Sequence, residues 1–150
     1  MSVCCLTSST SVATAFSLPL ARQFAKVVAV ENSPAAVQLC ARNANSAGLG
    51  NIRAICSEVS YWMDSRNADA QELFDLIVLD PPRTGAGPGI MDRIRKWSPS
   101  NIIYVSCDPQ TLVRDLARIS PADYKISLVA GLDMFPQTYH FETVVCLQKH

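Results

Sequence analysis

Charge imbalance is the first thing this sequence lacks. Its 150 residues carry 13 basic and 13 acidic side chains, a formal net charge of zero. Attraction of the whole domain to a polyanion is thereby excluded, and any affinity for nucleic acid has to be local. Charged residues make up only 17% against 49% hydrophobic ones, which excludes a disordered chain. No apolar run approaches the roughly 18 residues of a membrane-spanning helix. The stretch from Met1 to Leu20 has no basic leader of the secretory kind. No Cys-x-x-Cys pair occurs among Cys4, Cys5, Cys40, Cys56, Cys107 and Cys146, so neither a zinc nor an iron–sulfur site is indicated. Several of these cysteines lie inside apolar runs, and the expectation is a reducing, cytoplasmic setting with mostly buried thiols, no metal and no membrane. Glycine is scarce as well, with six in all and none before Gly48. What remains is enough apolar material for one domain with one core.

The apolar runs are short, rich in β-formers and separated by helical stretches. Lys26–Glu31 reads as a buried strand ending in an acid, and Asn51–Cys56, Phe74–Asp80 and Asn101–Ser106 read as further strands. Ser33-Pro34 reads as an N-cap with proline in the first turn, opening an alanine-rich helix that Gly48 closes. A second helix is predicted from about Pro109 to Ile119, with Arg114 and Asp115 on its polar side. Lys125–Ala130 and Thr143–Gln148 alternate as strands with only a loop between them. This order predicts an α/β fold: a doubly wound, mostly parallel sheet with an antiparallel C-terminal edge. Ligands of such sheets bind beyond the carboxyl ends of the strands, where strand order reverses. The residues at those ends are Glu31, Ser57-Glu58, Asp80 to Arg83, Ser106 to Pro109 and the loop Asp133 to Glu142.

Each of these has a chemical reading. Glu31 can accept two hydrogen bonds from the hydroxyls of a ribose, or it is a solvated strand end. Asp80-Pro81-Pro82-Arg83 makes a stiff turn with few backbone donors, suited to a flat base approaching the main chain; a proline-capped loop is the alternative. Cys107 follows a strand and precedes Asp108-Pro109 at a helix start, where the helix amino terminus favours the nucleophilic thiolate. The alternative, a small buried hydrophobe, suits Cys40, Cys56 and Cys146 but not Cys107, whose neighbours are polar. The segment Asp133 to Glu142 gathers an acid, an amide, a hydroxyl, the His140 imidazole and a final carboxylate ahead of the last strand. Glu142 is the candidate base there.

Three motifs carry a resemblance. Asp80-Pro-Pro-Arg-x-Gly85, Val105-Ser-Cys-Asp-Pro-x-Thr-Leu-x-Arg-Asp-Leu116 and Asp133-x-Phe-Pro-Gln-Thr-x-His-x-Glu142 resemble the RNA 5-methyluridine methyltransferases, and in that family's order. Phe16-Ser-Leu-Pro-Leu-Ala21, Val30-Glu31 and Asn43 to Asn51 are similar to its cofactor half. The resemblance implies a Rossmann-like class I methyltransferase fold over residues 1–150, S-adenosylmethionine as cofactor and uridine in ribosomal or transfer RNA as substrate. It implies Cys107 as the nucleophile that adds to carbon 6 of uracil and Glu142 as the base that removes the carbon-5 proton. Ala15, Phe16, Glu31, Glu58 and Asp80 are then expected at the cofactor, and Arg83, Gln137 and His140 at the substrate. A monomer without the family's upstream RNA-binding portion is expected.

One stretch departs from the family. Where the pattern has a glycine-rich Asp-x-Tyr/Phe-Cys-Gly-x-Gly-Asn-Phe, this chain reads Thr7-Ser-Ser-Thr-Ser-Val-Ala-Thr-Ala-Phe16. A short out-of-frame stretch in the gene would produce such a change, because Asp-Leu-Phe-Tyr codons read one nucleotide late give Thr-Ser-Ser-Thr. As written, the added β-carbons crowd the cofactor and weak binding follows. A non-catalytic remnant is therefore one alternative. An amino-group methyltransferase is another, although its acid-Pro-Pro motif normally ends in an aromatic residue where this chain has Arg83.

Overall fold

The computed structural model describes residues 1–7, 12–66, 74–133, 137 and 141–150. They form strands β1 (Ser2–Thr7), β2 (Lys26–Glu31), β3 (Ile52–Cys56), β4 (Leu76–Asp80), β5 (Asn101–Ser106), β6 (Tyr124–Leu132) and β7 (Glu142–Lys149). The helices are α1 (Val12–Ala21), α2 (Pro34–Ser46), α3 (Val59–Ser65), α4 (Ile90–Trp97) and α5 (Pro109–Leu116). The strands make one sheet in the order β3-β2-β1-β4-β5-β7-β6. β1 to β5 run parallel, and β7 lies antiparallel between β5 and β6. The doubly wound sheet and its antiparallel edge are as the sequence predicts.

The central strand is an addition. β1 was not expected from the sequence, yet it pairs with both β2 and β4. Its run Val3-Cys-Cys-Leu6 is buried throughout, as strands covered on both faces are. Successive residues alternate between faces. Cys4 and Leu6 join Val28, Ile77 and Tyr104 in the core under α3, α4 and α5, while Val3 and Cys5 join Val27 and Val78 under α1. Strand order reverses at β1, so the crevice where ligands bind in such sheets lies at its carboxyl end.

Local chemistry explains the helix starts. Ser33 caps α2 by accepting from the Ala36 N–H at 3.4 Å, with Pro34 in the first turn. Asp108 caps α5 with one carboxylate oxygen that accepts from the Gln110 and Thr111 N–H groups, each at 2.9 Å. Two expectations need correction. Asp115 is not on the polar side of α5 but buried, at 4% exposure. Cys56 is exposed and Cys146 half-buried, so the buried-hydrophobe reading holds for Cys40 but not for those two; β3 is an edge strand and leaves the Cys56 thiol at its end uncovered. Among the described residues no helix is long and apolar enough to cross a membrane.

Candidate active site

Register aligns the strand ends. Thr7 of β1 stands between Glu31 of β2 and Asp80 of β4, and Cys56 of β3 lies beyond Glu31. Glu31 is fully buried. Its Oε2 accepts from Thr7 Oγ1 at 2.8 Å and its Oε1 from the Ser33 N–H at 3.0 Å. A carboxylate has about four lone-pair sites, and the Thr7 hydroxyl occupies one of those on Oε2. Beside this row opens a cavity of about 290 Å³. Apolar walls come from Leu79, Val59 and the Pro81-Pro82 pair, and polar groups from Thr7, Asn32 and Glu58. Glu58 is the predicted cofactor residue that the structure puts in the wall. Neither Thr7 nor Asn32 carries a local sequence signal; Thr7 enters the site because it ends the central strand β1.

The far wall is the loop from Pro81 to Gly89, after β4. Thr84, Gly85, Ala86, Gly87 and Pro88 all line the cavity. Helix α5 holds this loop. Thr111 Oγ1 donates to the Arg83 carbonyl at 3.2 Å and Arg114 Nη2 to the Thr84 carbonyl at 2.8 Å. Asp115 Oδ2 accepts from the Ala86 N–H at 2.7 Å and from the Tyr104 hydroxyl at 2.6 Å, while Oδ1 accepts from Arg114 Nε at 3.0 Å. Gly85 adopts φ +87°, and a β-carbon there would lie 2.6 Å from Asp115 Oδ2. Burial pushes the Asp115 carboxyl up, but the bonds from Tyr104, Ala86 and Arg114 outweigh it and hold the carboxyl below its ordinary value. Burial and the neighbouring carboxylate push the Tyr104 hydroxyl far above its ordinary value.

Cys107 sits between β5 and the Asp108 cap and is half-buried. Ser106 braces its turn from both ends: the Oγ donates to the Asp108 carbonyl at 2.9 Å and accepts from the Asp108 N–H at 3.1 Å. The N–H of Thr111 first, then that of Gln110, holds the Asp108 carboxyl below its ordinary value, and the Arg83 charge adds to this. On the other side, β5 and β7 pair from Asn101↔Gln148 to Ser106↔Thr143. Cys107 follows and Glu142 precedes this last pair along their strands, so each lies one residue beyond the Ser106↔Thr143 end of the pairing.

The remaining predicted residues are dispersed. Arg83 is exposed beside Asp108, and Asp80 is half-buried at the end of β4. Phe16 packs into the core under α1, and Ala15 on the same helix is exposed. Gln137 is exposed with φ +76°, and His140 lies outside the described residues. The lining of the cavity includes neither Cys107 nor Glu142; both adjoin the last β5–β7 pair, Ser106↔Thr143. No group of three His, Cys, Asp or Glu side chains suited to a metal ion occurs among the described residues.

Residues 11–150 match the family described as tRNA (uracil-5-)-methyltransferase. The chain belongs to that family. An RNA methyltransferase of Thermotoga maritima, uncharacterized by name, is 45% identical over 134 residues, covering 89% of this chain and 30% of the relative. The 23S rRNA (uracil(1939)-C(5))-methyltransferase of Klebsiella pneumoniae is 42% identical with the same coverage. Among solved structures, the Pyrococcus abyssi tRNA (uracil-54, C5)-methyltransferase in complex with S-adenosyl-L-homocysteine superimposes with a TM-score of 0.75. It is 29% identical, covering 95% of this chain and 33% of that one. The chain thus spans about 30% of the length of the curated relatives it matches. Two of the motifs that resemble the uracil-5-methyltransferase family, around Gly85 and around Arg114-Asp115, are physically joined by the α5 contacts just described.

Proposed function

We propose that this chain is a catalytic portion of an RNA (uracil-5-)-methyltransferase that modifies ribosomal RNA with S-adenosylmethionine as cofactor. The observation that carries the proposal is the family match over residues 11–150, and it is supported by Cys107 and Glu142 each lying one residue beyond the last β5–β7 pair. Ribosomal RNA as the substrate class is supported by the name of the 42%-identical Klebsiella relative.

The cavity fits the adenosyl part of such a cofactor. Its volume of about 290 Å³ is at the small end of ligand pockets, its apolar walls suit a flat base, and Asn32 and Glu58 offer an amide and a carboxylate for hydroxyl and amino groups. Glu31 would reach the ribose hydroxyls once the Thr7 hydroxyl turned away. When bound, S-adenosylmethionine supplies an electrophilic methyl group. The chain's own residues do the rest. Carbon 5 of uracil is a weak nucleophile, and addition of the Cys107 thiolate to carbon 6 makes it an enolate carbon. After carbon 5 is methylated, Glu142 takes its proton, the electron pair restores the 5,6 double bond and the thiolate is expelled. Arg83, exposed beside this turn, is placed for a phosphate or the base, and Gln137 and His140 belong to the segment leading into Glu142. The target uridine has to leave any stack to reach Cys107. The reading is tested by incubating the chain with S-adenosylmethionine and a uridine-containing ribosomal RNA fragment and analysing the nucleosides by mass spectrometry. Formation of 5-methyluridine supports it, and methylation at an amino group overturns it.

A remnant without cofactor binding is the second reading, favoured by the Thr7 hydroxyl on Glu31 and the glycine-free run from Thr7 to Phe16. Isothermal titration with S-adenosylmethionine separates the two: micromolar binding supports the enzyme, millimolar or no binding the remnant.

A further inference from the structure

Helix α5 starts two residues after Cys107 and bonds the cavity loop at three successive points. Thr111, Arg114 and Asp115 engage the Arg83 carbonyl, the Thr84 carbonyl and the Ala86 N–H. Helical spacing of i, i+3 and i+4 puts these three side chains on one face. Between the contacts, Gly85 is pressed so closely on Arg114 and Asp115 that no side chain fits there. The Tyr104 hydroxyl, rising from β5, fixes Asp115 from behind. The catalytic proposal uses neither Asp115 nor Tyr104. A carboxylate at 4% exposure is nevertheless costly to keep unless its oxygens are satisfied, so its position over the loop calls for an explanation beyond packing.

We infer that Arg114 and Asp115 are positioning residues that tie the Thr84–Ala86 turn of the cavity wall to the helix carrying Cys107 at its amino end, so that cofactor cavity and nucleophile keep one separation. Arginine suits this task because its planar fork donates to Asp115 and to the Thr84 carbonyl together, which a lysine ammonium cannot do with the same geometry. The brace itself stands on the contacts alone; its effect on cofactor binding rests on the function proposed above.

The test compares the whole chain with Asp115→Asn and Arg114→Lys by amide hydrogen exchange and by titration with S-adenosylhomocysteine. Both variants are expected to speed exchange of the Ala86 amide about tenfold while β4 and β5 amides keep their protection, and to weaken S-adenosylhomocysteine about tenfold. Ala86 protection that is unchanged, or lost only in step with the β4 amides, overturns the brace. Local loss at Ala86 with unchanged affinity overturns the positioning role. If Asp115→Asn does not fold, Arg114→Lys decides, since the Arg114 side chain is 55% exposed. If the unaltered chain fails to bind S-adenosylhomocysteine, the cofactor reading falls and Ala86 exchange alone decides the brace.

Discussion

Gly85 is a residue whose identity follows from two independent constraints. Its φ of +87° disfavours any side chain, and Arg114 and Asp115 fill the space a β-carbon would need. Gly85→Ala is expected to cost about 2 kcal/mol, seen as a fall in Tm of roughly 4–8 °C. The cysteines divide by a different rule. Burial pushes Cys5 up to about 12 and Cys4 also well above its ordinary value, so neither yields thiolate near neutrality. Brief alkylation with iodoacetamide at about pH 8, read by peptide mass spectrometry, is expected to mark Cys56 and Cys107 and to spare Cys4, Cys5 and Cys40. Thr7 gives a third expectation. Thr7→Val leaves Glu31 Oε2 without its donor inside the fold, which costs about 1–3 kcal/mol and is measurable by urea denaturation.

At the scale of elements, legibility followed burial and punctuation. β2, β4 and β5 were readable because strands buried on both faces give unbroken apolar runs, and α2 and α5 because Ser33-Pro34 and Asp108-Pro109 announce helix starts. β1 escapes because its core, Val3-Cys-Cys-Leu6, is only four residues long and half cysteine. Asp115 was misplaced because a carboxylate in a helix suggests solvent, and only the fold shows a tyrosine hydroxyl and a loop N–H waiting for it. Cys107 and Glu142 are legible as motif residues, whereas their places beside the last β5–β7 pair depend on a long-range strand pairing that no local pattern announces. The α5 carboxylates also set an acid limit. Asp108 and Asp115 are held below the ordinary value, so their stabilisation is complete above the unfolded value near pH 3.9 and lost as pH falls through the folded values. Tm is therefore expected to drop below about pH 4, and to drop less steeply in Asp115→Asn.

For the whole molecule, a net charge of zero limits how RNA is held. If the proposed RNA is bound, few phosphates are expected to be neutralised, with a slope of log affinity against log salt shallower than about −2 in a filter-binding series. The function proposed above asks of this chain a cofactor cavity, a sulfur and a carboxylate rather than strong affinity for the polyanion. The chemistry proposed for that pair is testable without turnover in the ordinary sense. RNA containing 5-fluorouridine has no carbon-5 proton for Glu142 to remove, so the Cys107–carbon-6 bond persists once methylation has occurred. Incubation with that RNA and S-adenosylmethionine, followed by denaturing electrophoresis and mass spectrometry, is expected to give a covalent complex mapped to Cys107 and absent from Cys107→Ala. A chain that transfers methyl groups to uridine yet gives no adduct, or gives one that survives Cys107→Ala, would contradict the mechanism.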